Sequence, residues 1–124
     1  MSDRRSIEID GLSHKTAIPA ASRIGPLLIS SVITPFNPGT RDAPEDIADQ
    51  YKNVFRHVGL MLEEAGGGWE HVAKMEFWTP IADKGVLDPI WVEKFPDPNS
   101  RPARHTHIGV GDSVRATFIA YIED

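Results

Sequence analysis

"AGGGWEHVAKMEFW", residues 65–78, decides how this chain folds. On its N-terminal side Ile47, Tyr51, Val54, Val58, Met61, Leu62 and Ala65 recur at three- and four-residue steps, a single apolar stripe along a helix. On its C-terminal side the period falls to two. Val72, Lys74, Glu76 and Trp78 alternate with Ala73, Met75 and Phe77, as in a strand with one buried face. Gly66, Gly67 and Gly68 stop the helix between these two patterns. They are not a phosphate loop, because that needs a strand before it and a helix after it. The helix is expected from about Pro44 to Ala65, with Asp42 and Glu45 as a capping box and Pro44 in the first turn.

Working outward, "RSIEIDG" (5–11) alternates with Ile7 and Ile9 on one face and reads as a short edge strand. "HKTAIPAASRIG" (14–25) reads as loop, since Pro19 and its small neighbours offer little to bury. Leu27 to Ile33 is a continuous apolar run rich in β-branched residues, an interior strand ended by Pro35. "DKGVLDPIWVEKFPD" (83–97) carries Val86, Leu87, Ile90, Trp91 and Phe95 as a second helix, with Pro89 in its first turn or at a kink. "ARHTHIGV" (103–110) and "SVRATFIAYIE" (113–123) read as two strands joined as a hairpin by Gly111-Asp112. There is no repeat, linker or low-complexity tract, so residues 1–124 are read as one α+β domain. Two helices cannot cover both faces of such a sheet and should lie on one. The apolar side chains of the other face then call for a second copy of the chain.

Composition narrows the function classes. The chain has 124 residues, 40% hydrophobic and 25% charged, as an ordinary globular domain does. Its 18 acidic and 13 basic residues leave a net charge of -5, which argues against a broad nucleic-acid surface and hence against a ribonuclease. Cysteine is absent, which removes disulfides, thiolate zinc sites and a cysteine nucleophile. "MSDRRSIEID" lacks the apolar segment of a signal peptide, and no run approaches the about 18 apolar residues of a membrane span, so a cytoplasmic location is expected.

Chemistry concentrates in "SRPARHTHIGVG", residues 100–111. On a strand starting near Ala103, Arg104, Thr106 and Ile108 share one face, and His105 and His107 the other. Arg104 offers a permanently charged fork matched to a carboxylate; the alternative is a solvated, ion-paired surface arginine. The histidine pair has the spacing of two metal ligands, but no further ligand is identifiable, and hydrogen-bonded strand histidines are the simpler reading. No metal is expected. Ser30 and Ser31 lack a nucleophile-elbow turn.

"IPAASRIGPLLISSVITP" (18–35), "LEEAGGGWEHVAKMEFW" (62–78), "WVEKF" (91–95) and "RPARHT" (101–106), in that order, resemble the RidA/YjgF family of reactive imine/enamine deaminases, also described as endoribonuclease L-PSP-like. The resemblance spans about residues 14 to 122. It implies a chorismate-mutase-like mixed sheet with two helices on one face, assembled as a homotrimer with sheets inward and clefts between subunits. It implies hydrolysis of 2-imino or 2-enamino acids to keto acids and ammonia without metal or organic cofactor. Arg104 would grip the substrate carboxylate, with Thr106, Ser31, Asp88 and Thr117 bordering the ligand. Thr117 stands where active relatives carry an acid, and the family's early tyrosine is replaced by Ala20 or Ala21. A divergent subgroup is therefore implied, with no catalytic residue assigned. The alternative is a protein that binds a small carboxylate without turnover.

Overall fold

The computed structural model describes residues 3–12, 17–80 and 85–123. Among the described residues six strands and two helices follow one another as β1 (Arg5–Ile7), β2 (Ala21–Ile24), β3 (Leu27–Ser30), α1 (Ile47–Glu64), β4 (Val72–Thr79), α2 (Leu87–Lys94), β5 (Ala103–Ile108) and β6 (Arg115–Tyr121). They form one mixed sheet in the order β1-β2-β3-β6-β4-β5, antiparallel throughout except for the parallel pair β4 and β5. Both helices pack on one face, as expected. Tyr51 and Phe55 of α1 and Trp91 of α2 all meet Phe77 of β4, with ring centroids 5.9, 6.0 and 6.2 Å away. Aromatic pairs at such separations add to the burial of their apolar area.

The joint at residues 65–78 is built as its sequence suggests. The amide of Gly66 donates to Glu63 O and that of Gly67 to Leu62 O, closing α1, and Gly66 takes the left-handed conformation at φ 87°. A single 3₁₀ turn, Trp69–His71, leads into β4. A register shift between Val72 and Lys74 moves Val72 to the buried side with Met75 and Phe77, away from the Lys74–Glu76–Trp78 face where simple alternation would put it.

Several boundaries differ from those read in the sequence. The segment expected to be loop contains β2, because Gly25 at φ 55° begins a two-residue connection that folds Ala21–Ile24 back on Leu27–Ser30. Residues 14–16 of that segment, and Asp83 and Lys84 of the stretch read as the second helix, lie outside the described residues. The strand expected through Ile33 stops at Ser30, and Ile33 rejoins the sheet only by a bridge to Ala116. The cap of α1 is Asp46, whose carboxylate accepts from the Ala48 amide at 3.1 Å, and not Asp42. Asp42 belongs to a separate turn in which its amide donates to Thr40 Oγ1 and its carbonyl accepts from Asn37 N. Pro89 falls at the third residue of α2, where its missing N–H costs no helical hydrogen bond.

The largest correction is topological. Gly111-Asp112 does not close a hairpin, because β4 lies between β5 and β6. The amides of Gly109 and Val110 both donate to Thr79 O at the end of β4, so the chain crosses over that strand end before β6 begins.

The second face of the sheet is uncovered in the single chain. Ile24, Leu27, Ile29, Ile119 and Tyr121 lie on it in register across β2, β3 and β6, each exposed. Among the described residues no helix is long and apolar enough to cross a membrane.

Candidate functional site

Arg104 pairs with Met75 in register and therefore sits on the helix-covered side of edge strand β5. Its Nη2 donates to Asp88 Oδ1 at 2.8 Å, and its guanidinium carbon lies 5.2 Å from the centre of the Trp91 ring. Asp88 and Trp91 belong to α2, and Trp91 rests in turn on Phe77 and Phe95. A planar cation is thus held against an aromatic face that is anchored in the core. The Arg104 side chain is 28% accessible and that of Asp88 69%, so the pair borders solvent. The two readings of Arg104 meet here: it is ion-paired, and its side chain still borders solvent.

Thr106 follows on the same face, in register with Phe77, and its Oγ1 is buried with no hydrogen-bond partner among the described residues. Ser31 and Thr117 are placed elsewhere. Ser31 Oγ donates to Pro19 O at 2.8 Å just beyond β3. Strands β6 and β4 separate β3 from β5, so roughly 14 Å of sheet, about 4.8 Å per strand, divides it from Arg104. Thr117 pairs with Glu76 and faces the uncovered side. One chain therefore brings together Arg104, Asp88 and Thr106, and leaves Ser31 and Thr117 apart from them.

Beside Ser31, a cavity of about 420 Å³ is lined by Ala20, Val32, Ile33, Phe36, His57 and Met61, among others. His57 is buried on α1 and its Nε2–H donates to Phe36 O at 2.8 Å. Burial disfavours its charged form and pulls its pKa below the usual histidine value; the Phe36 contact opposes this, and Arg56 adds to it.

The histidine pair, by contrast, gains a member that the sequence did not supply. His105 and His107 share the uncovered face, with ring centroids 4.2 Å apart. Glu76 of β4 stands beside them: its Oε2 lies 2.6 Å from His107 Nε2 and 3.8 Å from His105 Nδ1. The hydrogen bond from His107 is the main cause that holds the Glu76 carboxyl below the usual carboxylate range, partly opposed by its burial and aided by Lys74 and the two imidazoles. Trp78 stacks on His107 with centroids 5.1 Å apart and planes 9° from parallel. The alternation within each strand was legible. The parallel register that sets Glu76 against His105 was not.

The fold is that of the Rid proteins. RidA from a Psychrobacter species matches with a TM-score of 0.82 and 26% identity over 95% of this chain and 99% of its own. A conserved Rid family protein, YyfA of Yersinia pestis, matches at 0.82 with 24% identity over 96% and 99%. The YjgF gene product of Escherichia coli matches at 0.81 with 20% identity over 94% and 98%. No protein-family profile matches the chain. In sequence, 87 residues are 36% identical to a RutC family protein of Aquifex aeolicus, covering 69% of this chain and 68% of that protein. The chain belongs to this family, the RutC or RidA/YjgF proteins.

Proposed function

We propose that the protein hydrolyses small 2-imino or 2-enamino acids to keto acids and ammonia, in clefts between the subunits of a homotrimer. The observation that carries this reading is Arg104, a guanidinium set over the Trp91 ring at the sheet edge, whose side-chain hydrogen-bond partner among the described residues is Asp88. A guanidinium has five N–H donors in a fixed fork, so a substrate carboxylate can be taken in two-point fashion on the groups that Asp88 leaves. The largely exposed Asp88 can also yield its place to a second carboxylate at little cost.

The chemistry asks for little more. Once protonated, the C=N carbon next to the carboxylate is electrophilic. Water adds to it, the carbinolamine collapses, and nitrogen leaves as ammonia while the second water hydrogen returns to solvent. Holding the acid and the water together supplies several kcal/mol of the barrier. The exposed apolar strip of Ile24, Leu27, Ile29, Ile119 and Tyr121 is a surface that a neighbouring copy would cover, and the separation of Ser31 from Arg104 within one chain fits a cleft completed by that neighbour.

A second reading, binding of a small carboxylate without turnover, is favoured by one observation. Thr117 cannot ionise and lies on the face opposite Arg104. Ammonia release from freshly generated 2-iminobutyrate, compared between the wild type and Arg104→Ala, separates the two. Turnover above the buffer rate that is lost in Arg104→Ala supports the deaminase. Equal rates in both proteins and in buffer refute it, and an Arg104-dependent thermal shift with keto acids alone then leaves the binding protein.

A further inference from the structure

We propose that Glu76, His105 and His107 form a site for a divalent transition-metal ion of the zinc class on the uncovered face of the sheet. One donor atom from each of the three lies within 4.8 Å of the others. Zinc holds nitrogen and oxygen ligands at about 2.0–2.2 Å, so donors around a bound ion stand roughly 3–3.5 Å apart. The observed separations of 2.6 Å (Glu76 to His107) and 3.8 Å (Glu76 to His105) bracket that spacing. The His105 and His107 donors also lie within 4.8 Å of each other, so side-chain rotations alone can close the three donors on an ion.

The backbone under these side chains is rigid and sets the arrangement. His105 and His107 are two apart on one strand, and Glu76 is the direct register partner of His105 on the neighbouring one. Trp78, the register partner of His107, fixes the plane of its ring by stacking. Two imidazoles and one carboxylate are the three-ligand set in which zinc keeps a fourth position for water or an incoming anion. The same donor types suit cobalt and nickel, and disfavour calcium and magnesium, which take oxygen ligands. In the single chain the cluster is open to solvent, the His105 side chain being 60% accessible. Lys74 on β4 and Arg115, the β6 register partner of Trp78, are the cations placed on this face of the sheet among the described residues. The site lies on the face opposite Arg104 and does not depend on the deaminase reading.

The test uses untagged, full-length protein freed of metal by a chelator and then dialysed. Zinc is titrated calorimetrically, and cobalt is followed by its visible absorption. The expected result is one ion per chain in the wild type and in His71→Ala, a histidine outside the cluster, with affinity at least about 10-fold weaker in His105→Ala, His107→Ala and Glu76→Gln. Far-UV circular dichroism shows that each variant remains folded. Two results overturn the proposal: no stoichiometric binding by the wild type, or equal binding by the wild type and all three cluster variants.

Discussion

Replacing Arg104 by alanine separates what the residue does for the fold from what it does for a ligand. In the folded chain it makes one ion pair with an aspartate that is mostly exposed, and one stacking contact with Trp91. An exposed ion pair contributes about 0.2–1 kcal/mol, and a cation over an aromatic ring at the surface about 0.5–1 kcal/mol. Arg104→Ala should therefore lower stability by about 1–2 kcal/mol, a drop in Tm of roughly 3–8 °C for a domain of this size. Asp88→Asn removes only the charge of the pair and should cost less than about 1 kcal/mol. The ligand response should behave differently. A small keto acid at about 100 times its Kd stabilises the native state by about 2.7 kcal/mol, which is larger than the structural cost of the substitution. Differential scanning fluorimetry with 2-ketobutyrate should show this rise in the wild type and in Asp88→Asn, and none in Arg104→Ala. A full ligand-induced rise in Arg104→Ala would refute the assignment of the carboxylate clamp, whatever the variant's own Tm.

Phe77→Ala removes the ring on which Tyr51, Phe55 and Trp91 converge, and should cost about 3–5 kcal/mol in urea unfolding; a loss under 1 kcal/mol would mean that the two helices do not share this core. Asp46→Ala should destabilise by about 1 kcal/mol through loss of the α1 cap, while Asp42→Ala, which leaves in place the backbone amide and carbonyl that Asp42 contributes to its turn, should stay within about 0.5 kcal/mol; the reverse order would return the helix start to Asp42. His57 has a folded pKa below its unfolded value of about 6.5, so its neutral form is the stable one and the unfolded chain takes up the proton first as pH falls. The stability advantage of the wild type over His57→Gln should be full above about pH 6.5, and shrink by up to about 1.4 kcal/mol per unit below it until the folded pKa is reached. A difference that stays constant from pH 7 to about pH 5 in paired urea titrations would contradict this.

What the amino-acid order determined by itself was local. The stripe from Ile47 to Ala65, the three glycines and the alternation of β4 are statements about neighbours along the chain, and periodicity reports them directly. Arg104 was singled out by its place on a strand face and the chemistry of its guanidinium, Asp88 by a family resemblance carried by short motifs, and the fold then placed their side chains 2.8 Å apart. Pairing between distant strands was decided only in three dimensions. Gly111-Asp112 carries a hairpin signal, yet hydrogen bonds from Gly109 and Val110 to Thr79 take the chain across β4, because that strand's Met75 and Phe77 must sit centrally over both helices. The same insertion sets Glu76 against His105 with Thr117 behind it, a juxtaposition of residues about thirty and forty positions apart that no local pattern encodes. Register is a property of two strands together, and a sequence read along one of them records which face a side chain takes but not what it will face there.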